Sequence, residues 1–327
     1  MEKPGKFSGD LLQLKDVNLV VANICSKLKD DVFHTLRCQG GVVGISGGID
    51  SSVTLALAAK SIGAQNLLGV IMPERDSNPE SRILAQKLAD KFGVKTVVED
   101  ISLALDGFQC YSRRDEAVKR IIPGYNPGTD KMKIGIRADS IEKDLPPVFY
   151  LTVIFSGGTR ESKRLPVNEY LQIVAASNLK QRSRMSMLYY HAESLHYAVL
   201  GTPNKHEVEQ GFFVKYGDGG ADAMPIAGLY KTQVYQLARF LGVPDEIIGR
   251  TPTTDTYSAE QSQEEFFYQL PFEEMDLLWY GWENGYSSEA VAKELGYTED
   301  LVVKNYKNFE RKRKTTEYLR MAPIRDY

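Results

Sequence analysis

The chain is poor in the residues from which disulfide frameworks and metal centres are built. It has 3 cysteines and 4 histidines in 327 residues. Cys25, Cys38 and Cys110 have no metal-ligand spacing and read as reduced thiols, the pattern of a cytoplasmic protein. His34, His191, His196 and His206 are not spaced as a metal triad. Core or surface roles suit them, and His206 alone is worth testing for its place in a loop that faces substrate. No apolar run is long enough to span a bilayer, and the start, Met1-Glu2-Lys3-Pro4-Gly5-Lys6, lacks a signal-type apolar segment. Charge of one sign is also scarce. The net charge is −3, so no general attraction to nucleic acid or acidic membrane is expected. There is no internal repeat and no low-complexity tract. What remains is ordinary globular composition, with enough chain to bury a sizeable core.

The most informative stretch is Val42-Val43-Gly44-Ile45-Ser46-Gly47-Gly48-Ile49-Asp50-Ser51-Ser52. A β-branched run enters a glycine turn, and an alanine-rich helical pattern follows from Val53 to Lys60. Strand, turn and helix N-terminus together make an anion site, because free N–H groups and the helix dipole converge there. The serines add hydroxyl donors, and Asp50 offers a carboxylate where Mg²⁺ on a polyphosphate would sit. The pattern is neither Gly-x-x-x-x-Gly-Lys-Ser/Thr nor Gly-x-Gly-x-x-Gly. It resembles the Ser-Gly-Gly-x-Asp-Ser loop of the ATP pyrophosphatases, which split ATP into AMP and pyrophosphate. A second Ser-Gly-Gly, at Ser156-Gly157-Gly158, is followed by Thr159-Arg160 and has no matching acid, so it reads as a hairpin turn.

Strands are expected at Val42–Ser46, Leu67–Met72 and 94–98, with helices at 51–62 and 79–92. A helical stripe covers 16–37. The alternation predicts an α/β fold, a doubly wound parallel sheet with helices on both faces. Its ligands belong at the carboxyl ends of the strands. From about 104 to 170 the rhythm breaks, and a hairpin-containing insertion is expected, with strands at Lys131–Ile136 and Val148–Phe155. A helix over Lys180–Tyr197, a short strand Ala198–Leu200 and a helix Thr232–Leu241 restore the pattern. The expected organisation is one synthetase domain over 1–258 and a helical extension over 259–327 packed on it.

Four further segments resemble one branch of that superfamily, the NAD synthetases. They are Asn178-Leu179-Lys180-Gln181-Arg182-Ser183-Arg184-Met185, then Gly201-Thr202-Pro203-Asn204-Lys205-His206-Glu207, then Gly211 to Asp222, and Leu229-Tyr230-Lys231-Thr232-Gln233-Val234 with Pro252-Thr253 beyond. The resemblance implies amidation of nicotinic acid adenine dinucleotide by ammonia. The nicotinate carboxylate attacks the α-phosphate of ATP, pyrophosphate leaves, and ammonia converts the acyl-adenylate to NAD and AMP. It assigns Gly44-Ile45-Ser46-Gly47-Gly48-Ile49-Asp50-Ser51 to the ATP phosphates, and Thr202, Lys231 and Thr253 to other ATP contacts. Asp50 and Glu207 would bind Mg²⁺. Arg182, Lys215 and Asp222 would hold the dinucleotide. Relatives are homodimers.

Departures from the family pattern are Pro203, the stretch Thr254 to Glu260, and a C-terminal His-Lys-Arg matched only by Arg311-Lys312-Arg313, where Lys312 is the candidate contact. Glutamine-using relatives carry a separate amidase domain; no comparable length precedes the ATP loop here, so free ammonia is the expected donor. Two alternatives stand beside this reading. One is another adenylating amidotransferase of the superfamily. The other is a DNA-binding protein, because Ser287 to Lys314 looks like helix-turn-helix with a basic second helix.

Overall fold

The computed structural model describes residues 6–136, 148–253 and 256–325, without the side chain of Glu265. Residues 137–147 of the expected insertion, and Thr254 and Asp255, lie outside the described residues. In chain order the elements are α1 (Val17–Asp30), β1 (Gly41–Gly44), α2 (Ile49–Ile62), β2 (Leu67–Ile71), α3 (Pro79–Phe92), β3 (Lys95–Val98), α4 (Ser102–Gly107) and α5 (Cys110–Ile121). Then come β4 (Lys131–Ile136), β5 (Phe149–Ile154), β6 (Arg160–Arg164), α6 (Val167–Leu195), β7 (Ala198–Leu200), α7 (Lys205–Gln210), α8 (Lys231–Leu241), α9 (Asp245–Ile248), α10 (Phe272–Glu283), α11 (Ser288–Leu295), α12 (Glu299–Thr315) and α13 (Glu317–Arg320).

Four parallel strands form the main sheet in the order β3-β2-β1-β7. Strand residues alternate between its faces. Val43, Ile45, Leu67, Ile71 and Leu200 face the core made with α1, α2, α3 and α8. Val42, Val70 and Val199 face α6, through Leu188, Tyr189 and Ala192. The sheet is therefore covered on both sides, as the unbroken apolar strands require. From β1 the chain steps outward through β2 to β3, then returns to the other side of β1 at β7. That reversal opens a crevice at the carboxyl ends of β1 and β7. The Gly-Gly loop and the loop leading to α7 both emerge there.

A separate antiparallel sheet runs β4-β5-β6. Met132, Ile134, Leu151 and Val153 alternate into a core shared with Ala117, Val118, Leu165 and Ile173 of the flanking segments. Ser156-Gly157-Gly158 forms the β5–β6 turn, where the Gly158 N–H donates to the Phe155 carbonyl and φ is +84°. The strand β6 and the helix α4 were not among the expected elements, and two further helices differ from the sequence reading. α6 begins at Val167 and not at Lys180. In its first half Tyr170, Ile173 and Val174 pack on β-sheet residues and α5 while Val167 and Leu171 are exposed, so apolar side chains lie on more than one face and the helical period is blurred. Likewise α5 occupies what was read as the start of an irregular insertion, and it packs along α6.

The C-terminal helices share a third core with the N-terminal segment. Phe7 and Leu12 meet Leu278, Trp279, Val291, Val302 and Phe309, and Tyr230 at the entrance of α8 joins them. The basic end of α12 is engaged within the fold: Lys312 donates to Gln210 and to the Phe267 carbonyl, and Arg313 lies 3.5 Å from Glu209. No helix among the described residues is long and apolar enough to cross a membrane.

Candidate active site

The loop after β1 is set by its glycines. Gly47 has φ +73°, and a Cβ there would lie 2.6 Å from the Ser81 carbonyl oxygen on α3. Only glycine permits both that backbone and that approach. Gly48 is the N-cap of α2, and no side chain caps this helix. Its first-turn N–H groups thus face the crevice as an anion site. The serines hold the loop's own shape. The Ser46 and Ser51 hydroxyls are 3.2 Å apart, Ser46 Oγ accepts from the Gly48 N–H, and the Ser51 and Ser52 hydroxyls both donate to the Gly48 carbonyl.

Asp50, in the first turn of α2, is where two other elements meet. Lys231 Nζ, at the start of α8, donates to Asp50 Oδ2 at 2.5 Å, and Asn204 Nδ2 donates to Asp50 Oδ1 at 3.1 Å. Asn204 caps α7 in a reciprocal capping box: its Oδ1 accepts the His206 and Glu207 N–H groups, and its own N–H donates to Glu207 Oε2. The Asx cap therefore fixes Glu207 on the same side as Asp50. Gln263 Nε2 donates to Glu207 Oε1 at 3.3 Å, and the neighbouring Ser262 bridges to Thr253. Thr202 lies partly buried in the loop between β7 and α7.

Electrostatics follow from two carboxylates beside one lysine. The Lys231 side chain is 0% exposed. Burial opposes its charge, but Asp50 and Glu207 outweigh that effect and raise its pKa. Burial and the Asp50 charge push the Glu207 carboxyl up to about 8, against the pull of Lys231. A raised pKa means the folded state holds the proton more tightly. The Glu207 contribution to stability is thus fully present below its ordinary value of 4.5 and is lost as pH rises towards about 8. In the ligand-free protein, thermal denaturation across that interval should show a decline that Glu207→Gln flattens.

A second buried network sits at the carboxyl end of β2 and was not assigned from sequence. Lys180, 1% exposed on α6, donates to Glu74 Oε1 at 2.9 Å, Asp76 Oδ2 at 2.7 Å and the Thr256 carbonyl at 2.9 Å. Arg114 donates to Asp76 and Asp115, and the Tyr111 hydroxyl donates to Glu74 at 2.6 Å. Burial alone would raise the Asp76 pKa, but Lys180 and Arg114 hold it below the usual carboxylate range. Lys180 thus ties the β2 loop and α6 to the segment just after Thr253. Lys180→Met should destabilise the fold by about 3–5 kcal/mol, because it strands buried carboxylates. Chemical denaturation of the purified variant measures this. Lys180 stands inside the Asn178–Met185 segment, but its burial and partners are set by residues far away in sequence, which spacing does not reveal.

Of the expected dinucleotide residues, Arg182 and Lys215 are neighbours. Arg182 Nε donates to the Lys215 carbonyl at 3.4 Å. Lys215 Nζ donates to the Tyr318 and Met321 carbonyls at 2.8 and 3.0 Å, so the C-terminal segment reaches over it. The adjacent Tyr216 has φ +59°, an unusual conformation for an aromatic residue. Asp222 lies apart, along the outer edge of β7, where it accepts from the Tyr189 hydroxyl at 3.1 Å and the Val199 N–H at 2.8 Å. Lys312 packs 4.2 Å from the Phe267 ring centroid; burial and Arg311 lower its pKa to about 7. It reaches α7 through Gln210, on the far side from Asp50.

A switch-point crevice with a glycine-cradled anion loop, a buried lysine and two facing carboxylates defines the class: an α/β protein of the nucleotide-binding kind. The NAD synthase family model matches residues 20–122 and 153–323. The chain belongs to the NAD synthase family. The break in the match falls over β4 and most of β5. The NH(3)-dependent NAD(+) synthetase of Rhizobium meliloti (strain 1021) is 47% identical over 320 residues, covering 97% of this chain and 94% of that protein. The enzyme of the same name from Methanocaldococcus jannaschii is 31% identical over 292 residues, covering 87% and 92%. Among solved structures, an NMN synthetase from Francisella tularensis superposes with TM-score 0.65 at 19% identity, covering 95% of this chain and 98% of that one. An NH3-dependent NAD synthetase from Campylobacter jejuni gives 0.61 at 20%, covering 95% and 100%. At those identities the likeness is one of fold.

Proposed function

We propose that the chain joins ammonia to nicotinic acid adenine dinucleotide at the cost of ATP, giving NAD, AMP and pyrophosphate through an acyl-adenylate. The observation that carries this is the convergence of Asp50, Lys231 and Glu207 on the loop at the N-terminus of α2, in a chain 47% identical to an ammonia-dependent synthetase along nearly its whole length.

Displacement at phosphorus needs positioning and charge neutralisation more than covalent chemistry. The N–H groups of the Gly44–Ser51 loop and the α2 dipole receive the β- and γ-phosphates. Lys231 presents a cation to them that burial keeps from solvent. Thr202 and Thr253 flank the nucleotide. The nicotinate carboxylate attacks the α-phosphorus, the bond to the bridging oxygen breaks, and pyrophosphate leaves into the loop. Ammonia then attacks the acyl carbon, loses a proton, and AMP departs.

The donor set suits a divalent cation. Asp50 and Glu207 are hard oxygen ligands, and Glu207 resists ionising beside Asp50 until a further positive charge is supplied. Mg²⁺ bound by these two carboxylates would neutralise charge on the departing pyrophosphate. Arg182, Lys215, Asp222 and Lys312 are assigned to the dinucleotide. The bond from Arg182 to the Lys215 carbonyl supports a common location for these two residues.

The homodimer belongs to the same reading. α6 exposes Val167, Leu171 and Ala175 and, beyond the half-buried Asn178 and Leu179, Arg182, Ser186 and Tyr190, at helical spacing. A second copy covering them would bring Arg182 into the interface. We place the enzyme in the cytoplasm, where its free thiols stay reduced. Exchange of labelled pyrophosphate into ATP tests the first half-reaction. It should require the dinucleotide and proceed without ammonium. Exchange independent of the dinucleotide would refute the acyl-adenylate.

A further inference from the structure

His206 was singled out in the sequence, and the function above leaves it without a task. It is buried, and its Nε2 lies 2.6 Å from Asp276 Oδ1 on α10. Its Nδ1 faces Gln210 Nε2 at 3.2 Å, and Tyr230 and Trp279 pack edge-on around the ring. Asp276 is 0% exposed and uses its second oxygen as well: Oδ2 accepts the Thr232 N–H at 2.8 Å. One buried carboxylate therefore holds two elements. Through His206 it holds α7, one residue before Glu207. Through Thr232 it holds the first turn of α8, one residue after Lys231.

We propose that Asp276 is a positioning residue that sets Lys231 and Glu207 against the phosphate loop from the C-terminal helical segment. The inference rests on the reading of those two groups as ATP-site residues. α7 has six residues, too few to hold a helix by itself, so its placement comes from outside contacts. The capping box fixes Glu207 relative to Asn204, and the His206–Asp276 contact fixes the helix relative to α8. Asp276 touches neither Lys231 nor Glu207, so it acts by geometry. An error of about an ångström at such groups is enough to weaken binding and turnover strongly.

The test is the affinity of the full-length protein for ATP with Mg²⁺, by titration calorimetry, alongside the melting temperature. Asp276→Ala is expected to weaken ATP binding about tenfold or more. Asp276→Asn keeps an acceptor for Thr232 and a polar partner for His206, and should restore binding to within about threefold. In a Lys231→Met background the effect of Asp276→Ala should shrink but not vanish, because the route through Lys231 is lost while the route through His206 to Glu207 remains. Equal losses in the Ala and Asn variants, or an undiminished effect in the Lys231→Met background, would overturn the proposal. Should Asp276→Ala fail to fold, His206→Gln decides: it should weaken ATP binding in the wild-type background and add little to Glu207→Gln. An effect of the same size in both overturns the clamp. Wild-type protein that binds no ATP overturns the site reading with it. Wild-type binding with the variants unchanged overturns the clamp alone.

Discussion

Asp50→Asn is expected to lower pyrophosphate release from ATP by about a hundredfold or more while leaving the fold intact. The loss follows from the position of this carboxylate, on the first turn of α2 and in contact with both Lys231 and Asn204. Under the proposed function, the change turns one of the two carboxylates assigned to Mg²⁺ into a neutral, weaker donor and removes the nearest counter-charge to Lys231. The fold survives for a reason visible in the same cluster. Burial and Asp50 together keep the Glu207 carboxyl up at about 8. With residue 50 neutral, Glu207 ionises more readily and becomes the partner of Lys231. Circular dichroism and melting temperature should therefore change little, whereas turnover collapses.

Lys231→Met has the opposite balance. Activity should again fall by about a hundredfold or more, because under the proposed function a fully buried cation is withdrawn from the phosphates. Here stability falls too. Two carboxylates are left facing each other, and the pull that lowers the Glu207 pKa is gone. Glu207 then holds its proton to still higher pH, so the destabilisation relative to wild type grows as pH rises past about 8. About 3 kcal/mol is the expected scale near neutrality, at the lower end for a broken buried pair because the Asp50 side chain is 15% exposed. Denaturant titrations at about pH 7 and about pH 9, on either side of that value, measure the trend.

How much of this was legible in the sequence differs from element to element. The parallel sheet was legible, because Val42-Val43, Leu67-Leu68 and Val97-Val98 are apolar runs between helical patterns. The helix 79–92 was bounded correctly, since Asn78 caps it, Pro79 opens it and Gly93 ends it with φ +68°. The first half of α6 was not, because its apolar residues are divided between a buried face and an exposed one. In the site, Asp50, Glu207 and Lys231 lie 181 residues apart at the extremes of the chain segment they span, yet each sat in a readable motif. Asn204 sat in a quoted motif too, but its double role as helix cap and Asp50 partner needs the three-dimensional meeting of α2 with α7. Asp276 carries no local signal, and Lys180 sat in a quoted motif that gave no hint of its buried partners. A lone Asp in the apolar helix Phe272–Glu283 and a lysine in a basic run acquire partners only through tertiary packing.

The most direct measurement is the product balance of the purified chain supplied with ATP, nicotinic acid adenine dinucleotide, ammonium and Mg²⁺. The account predicts equal amounts of NAD, AMP and pyrophosphate, and none of the three when the dinucleotide is omitted. ADP and phosphate in place of AMP and pyrophosphate, or nucleotide cleavage without NAD, would contradict it.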